Sequence, residues 1–148
     1  MAANVFPKVF FISRQTPRGQ VQDILQDLLT ISDWLDDMEI LRTEIILNEA
    51  LSNALKHGTA VTIKMNKLGK RLVFRIKDNG RGFAGNQTVA ILADSLGKIG
   101  LSLVSETEHG RGILIMMSWS DQIFYNHCGN EVMLVKALYD DNEKAKEF

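Results

Sequence analysis

Cysteine occurs once, at Cys128, so no internal disulfide can form, and a lone thiol fits a reducing compartment. Proline occurs only at Pro7 and Pro17, both ahead of the regular pattern that fills the rest of the chain. Long apolar runs are missing. The opening stretch MAANVFPKVFFISRQ has too few consecutive apolar residues for a secretory leader or a spanning helix, which leads to the expectation of a cytoplasmic protein. No excess of either charge exists: 17 Lys and Arg stand against 18 Asp and Glu, so neither nucleic acid nor an anionic membrane is the default partner. Internal repeats and low-complexity tracts are absent as well. His57, His109 and His127 do not combine with Cys128 into a metal-binding spacing. What remains is an ordinary globular composition, 45% hydrophobic and 24% charged over 148 residues, read as one domain spanning 1–148.

The hydrophobic pattern gives the elements. Lys8 to Arg14, with Val9, Phe10, Phe11 and Ile12, reads as a short strand. Pro17 sits where a helix opens, and Val21, Ile24, Leu25, Leu28, Leu29 and Ile31 follow at helical spacing to about Leu35. A second helix is expected over Glu39 to Lys56. Leu47, Leu51, Ala54 and Leu55 lie on one stripe, Glu49, Asn53, Lys56 and His57 on another, and Gly58 closes it in the style of a C′ glycine, where a left-handed backbone is usual. Ala60 to Asn66 and Arg71 to Asp78 form a hairpin around Lys67–Lys70. A short helix falls within Ala90 to Leu103, and another runs from Gly112 to Trp119 after a glycine-rich turn. A last hairpin, Ile123–Asn126 with Glu131–Leu138, turns at Cys128-Gly129-Asn130, and the charged tail DDNEKAKEF frays. Hairpins mixed with helices argue an α+β, two-layer sandwich: a mixed, mostly antiparallel sheet covered on one face by helices.

Three stretches carry candidate chemistry. In NEALSNALKHG, Glu49 and Asn53 are four apart and share a helix face. A carboxylate there can orient or deprotonate a nucleophile, and an amide oxygen one turn on can ligate Mg²⁺. The competing interpretation is a plain solvated face. In DNGRGF, Asp78 ends a strand and can accept from an exocyclic amine, while Gly80 and Gly82 allow close backbone approach; an ordinary Asn-Gly turn is the alternative. In HGRGILIMMSW, Gly110, Arg111 and Gly112 open a helix whose free N–H groups suit phosphate, or form a simple connection.

In this order the three stretches resemble the Bergerat-type ATP-binding fold of histidine kinases, gyrases, chaperones and mismatch-repair proteins. NEALSNALKHG, RIKDNGRGF, HGRGILIMMSW and GNEVMLVKAL together resemble the anti-sigma factor serine/threonine kinase branch, over roughly residues 40 to 138. The resemblance implies ATP and Mg²⁺ as cofactors. It implies Glu49 as the catalytic base and Asn53 as the Mg²⁺ ligand. Asp78 would be the adenine-binding acid, with Gly80 and Gly82 in the turn beneath the purine. Gly110, Arg111 and Gly112 would form the second glycine box near the phosphates, with Lys56 and His57 close to the nucleotide and Phe83 to Gly110 as a lid. Its partners would be a small anti-sigma-factor antagonist, phosphorylated on serine, and a sigma factor or similar client held in the ATP state; a homodimer is compatible with it.

The chain departs from the branch in three ways. Its lid is apolar, from Ile91 to Val104. Gly97-Lys98-Ile99-Gly100 mimics the second glycine box of histidine kinases. Gly129-Asn130-Glu131 stands where many relatives place a threonine near the adenine acid. Two other functions stay open: a module that sequesters a partner without turnover, and the catalytic domain of a histidine kinase, against which stands the lack of a phospho-acceptor helix ahead of the site.

Overall fold

A computed structural model describes residues 6–29, 35–96 and 108–138. The elements are β1 (Lys8–Ser13), α1 (Arg18–Leu28), α2 (Asp37–His57), β2 (Ala60–Leu68), β3 (Arg71–Asp78), α3 (Gly85–Leu96), α4 (Glu108–Trp119), β4 (Gln122–Tyr125) and β5 (Glu131–Ala137). The five strands form one sheet in the order β1-β2-β3-β5-β4, and every ladder is antiparallel. The fold is α+β, as expected, with a fully antiparallel sheet among the described strands instead of a mixed one.

Alternation places the core. Val61, Ile63 and Met65 of β2, and Leu72, Phe74 and Ile76 of β3, point to the helical side and are buried. Against them α2 presents Thr43, Ile46, Leu47, Ala50, Leu51 and Ala54, the stripe that a period of 3.6 residues produces. Leu25 and Leu28 of α1 and Ile113 and Met116 of α4 complete the same cluster. The inward alternation of β3 ends on Asp78, which is only 7% exposed: a carboxylate stands where the pattern would place another hydrophobe.

Several boundaries differ from expectation, for local reasons. Helix α2 begins at Asp37, not Glu39, because the Asp36 side chain accepts from the Glu39 backbone N–H at 2.8 Å and caps the helix. Its other end closes differently from the left-handed glycine cap expected. Gly58 is extended (φ −130°), and glycine is required there because a Cβ would lie 2.6 Å from Asn79 Oδ1. Arg14 reinforces this end by donating from Nε to the Leu55 carbonyl at 3.0 Å, a cation at a helix C-terminus. Strand β2 runs two residues beyond Asn66, since Leu68 still pairs with Arg71 across a two-residue turn. Helix α4 starts at Glu108, so Gly110 and Gly112 lie inside its first two turns and do not precede it. The extension of the first helix toward Leu35, the 97–103 alternative glycine box, the far part of the lid and the charged tail fall wholly or partly outside the described residues.

The front of α2 is tied to the sheet by charge. Lys136, 5% exposed, donates to Glu39 Oε2 and to the Trp119 carbonyl at 2.8 Å, and Arg42 donates to Glu39 Oε1 at 2.9 Å. Burial alone would raise the Glu39 carboxyl. The hydrogen bond and charge of Lys136, then those of Arg42, outweigh burial and hold it below its ordinary value of 4.5. A carboxyl lowered by folding contributes stability that is present above its unfolded value and is lost as pH falls through the folded one. Lys136→Met, which keeps the apolar stem and removes the charge, is expected to lower stability by about 2–4 kcal/mol at neutral pH. Chemical denaturation across pH should show that gap narrowing below pH 4.5; a gap independent of pH would mean that packing of the stem, and not the ion pair, holds the helix.

Candidate nucleotide site

The site is built where the end of β3, the end of α2 and the β4–β5 turn converge. Asp78 closes β3 with its backbone N–H bonded to the Asn130 carbonyl at 2.8 Å, so the last hairpin reaches the acid directly. Its Oδ1 accepts the Gly80 N–H at 2.7 Å, which curls the following loop back over the carboxylate. Asn79 points the other way and clamps the start of β2: Oδ1 accepts from the Thr59 N–H at 2.8 Å and the Ala60 N–H at 3.2 Å. The Asn-Gly pair is therefore a turn, as its composition suggests, and it also sets the acid.

The loop after Asp78 passes its neighbours backbone to backbone. A Cβ on Gly80 would overlap the His57 carbonyl. Gly82 has φ +75°, and a Cβ there would overlap the Cys128 carbonyl. Both positions need glycine, one for proximity and the other for proximity and conformation together.

Between these segments lies a cavity of about 10 Å³ lined by Asn53, His57, Asp78, Phe83, Tyr125 and Asn130, among others. That is about the space of one water. Aromatic rings fill the rest: Phe83 stacks on His57 at 5.5 Å between centroids and 10° between planes, and meets the Tyr125 ring edge-on at 5.0 Å. The Tyr125 hydroxyl is buried without a hydrogen-bond partner. Burial pushes its pKa up to about 12, with the nearby Asn53 amide opposing the shift without reaching bonding geometry. An orphaned hydroxyl, a carboxamide and a carboxylate facing one small space form a donor and acceptor set suited to a heterocyclic base. A purine would enter only with displacement of the Phe83 ring.

Glu49 lies one turn back along α2 from Asn53. It does not line the cavity and instead faces α4, where a Cβ on Gly112 would sit 2.8 Å from Glu49 Oε2. The structure thus brings Asn53, His57, Asp78, Gly80 and Gly82 together, and joins Glu49 to Gly112 nearby. Lys56 is exposed and outside the cavity lining, and Arg111 is exposed on α4. Gly110 is in the first turn of α4.

Sequence reading passes over Tyr125 and Asn86, and gives Phe83 only as the start of the lid. Asn86 clamps Tyr125 from α3, donating to its carbonyl at 2.8 Å and accepting from its N–H at 2.9 Å. The start of the expected lid is therefore a helix fastened to β4. The available signal was a tyrosine at an inward position of a strand beside the DNGRGF loop.

A family model for the histidine kinase-like ATPase domain matches residues 14–136, which takes in all three candidate stretches. No curated protein matches the chain.

Two glycine substitutions should separate architecture from chemistry. Gly82→Ala meets a backbone carbonyl in a positive-φ conformation and is expected to cost at least about 2 kcal/mol. Gly112→Ala meets only the movable end of Glu49, and gains helix propensity of up to about 1 kcal/mol. It should leave the melting temperature unchanged or higher while displacing the carboxylate. Thermal unfolding of the two variants checks this ordering; a Gly112→Ala protein as unstable as Gly82→Ala would mean that the α2–α4 contact is rigid.

Proposed function

The chain belongs to the histidine kinase-like ATPase domain family, and on that premise we propose that it is an ATP- and Mg²⁺-dependent protein serine/threonine kinase working by partner switching in the cytoplasm. Membership of the family supports ATP binding. The observation that carries the finer reading is that a single face of α2 connects two places: Asn53 lines the cavity with Asp78 and Tyr125, and Glu49, four residues earlier, stands against Gly112 at the start of α4. A nucleotide with its base at Asp78 and its phosphates along α2 would end beside a carboxylate and a helix N-terminus, which suits anionic oxygens.

In this scheme Asp78 accepts from the exocyclic amine of adenine, while the Tyr125 hydroxyl finds a partner it otherwise lacks. Asn53 is the oxygen ligand for Mg²⁺, and Lys56, His57, Gly80, Gly82, Gly110 and Arg111 border the nucleotide. The metal supplies charge neutralisation on the phosphates. Glu49 takes the proton of a serine hydroxyl on a small antagonist protein. The serine oxygen bonds to the terminal phosphorus, the bond to the bridging oxygen breaks, and ADP leaves. Such a transfer depends chiefly on positioning and electrostatics. The new phosphate, carrying nearly two negative charges, would repel Glu49 and release the antagonist, freeing the chain to hold a sigma factor or similar client.

Glu49→Gln keeps the size of the side chain and removes its charge. It should leave nucleotide affinity within a few-fold and reduce transfer of labelled phosphate to the antagonist by about 10²-fold or more, the scale of a lost general base. The label should map to serine or threonine of the antagonist by mass spectrometry. Label on a histidine would instead support a histidine-kinase role. No transfer at all, with complex formation indifferent to ATP, would support a sequestering module.

A further inference from the structure

The sheet has a second face, opposite the helices, on which no described helix packs; one end of it is closed, with Val73 and Val135 buried and Pro7 beside Val73, and the rest is open. Alternation puts Val9 and Phe11 of β1, Thr62 and Lys64 of β2, Arg75 and Lys77 of β3, Met133 of β5 and Phe124 of β4 on it. Register aligns five of these in one row across the sheet: Val9 opposite Lys64, Lys64 opposite Arg75, Arg75 opposite Met133, and Met133 opposite Phe124. Two cations thus stand directly opposite each other at the centre, with apolar residues on either side.

Like charges opposed across a ladder are unfavourable. Neither Lys64 nor Arg75 has an ion-pair partner among the described residues, and neither does Lys77 one row away. The apolar flanks are open to solvent: Phe11 is 74% exposed and Phe124 45%. The surface is also hollowed. A depression of about 640 Å³ lies beside Phe11, Thr62 and Lys77, and another of about 190 Å³ beside Lys64, Val73 and Arg75. Each hollow therefore pairs at least one cation with apolar wall.

From this we infer that the open face of the sheet is a docking surface for an acidic, apolar-flanked segment of another protein. Carboxylates of the partner lie between Lys64 and Arg75 and at Lys77, and its hydrophobic side chains cover Val9, Phe11 and Phe124. The charge pattern selects this occupant over a second copy, because a two-fold pairing of the same face would set Lys64 and Arg75 of one chain against cations of the other. Four cations, Lys64, Arg71, Arg75 and Lys77, on a face also carrying Glu131 are too few for nucleic acid, where affinity comes from many phosphate contacts. The surface is independent of the nucleotide reading, although the larger hollow shares Asp78 and Asn130 with the nucleotide cavity, so occupancy of one can bias the other.

The test uses the full chain and three synthetic ten-residue peptides that alternate valine with glutamate, glutamine or lysine, followed by amide NMR. The glutamate peptide should shift amides of β1, β2 and β3 around Lys64, Arg75 and Lys77. It should bind at least tenfold more tightly than the glutamine peptide, weaken as salt is raised, and weaken at least tenfold in Lys64→Gln/Arg75→Gln. The lysine peptide should not bind. Equal binding of the glutamate and glutamine peptides would overturn the proposal, as would shifts confined to the helical face. So would sedimentation showing the face closed by a second copy, or peptide binding that appears only once residues 139–148 are removed.

Discussion

Backbone running against backbone around Asp78 is the constraint on which the rest of the molecule depends. The loop after β3 passes so close to the end of α2 and to the β4–β5 turn that side chains are excluded at Gly80 and Gly82. Three segments far apart in the chain are thereby held at one point, and the carboxylate ending β3 is held with them, anchored through its own N–H to Asn130 and through Oδ1 to Gly80. A buried acid is costly unless hydrogen-bonded. Here the glycines permit the loop geometry that supplies those bonds, so the residue that breaks the apolar alternation of β3 is also the one the local backbone is shaped to hold.

Helix α2 transmits that arrangement. At its C-terminal end Gly58 packs on Asn79 and Arg14 binds the last carbonyls; at its N-terminal end Asp36 caps it and Glu39 joins Lys136 of β5. With both ends fixed and the apolar stripe buried on the sheet, the opposite face has a determined direction. Glu49 and Asn53 take their positions from that, Asn53 toward the cavity and Glu49 toward α4. The aromatic group of His57, Phe83 and Tyr125 fills most of the space beside Asn53 and Asp78, so on the proposed reading a base could enter there only if the Phe83 ring moved.

Much of this was legible in the sequence because it rests on short-range rules. Period-two alternation located β2 and β3, a period of 3.6 located α2, and the Asn-Gly pair located the turn after Asp78. Less legible was whatever depends on distant segments meeting. Gly58 looked like a left-handed cap and proved to be glycine because Asn79 comes close. Gly110 and Gly112 read as the opening of a helix at Gly112, and the helix in fact begins at Glu108, so both lie within α4, with Gly112 small because Glu49 needs the room. Tyr125 offers no motif; its role comes from burial of its hydroxyl beside Asn53, which only the packed structure reveals. The Asp36 to Glu39 cap was readable from its spacing and was missed because the hydrophobic pattern starts later.

The central claim is that Asp78, set by these contacts, is the recognition point of an adenine nucleotide site. It is tested most directly by calorimetric titration of ADP and Mg²⁺ into the folded wild-type chain and into Asp78→Asn. The account predicts micromolar affinity for the wild type, about −8 kcal/mol, and a loss of at least tenfold in the variant with its melting temperature little changed. Absence of binding to the folded wild type, or equal affinity in both proteins, would contradict it.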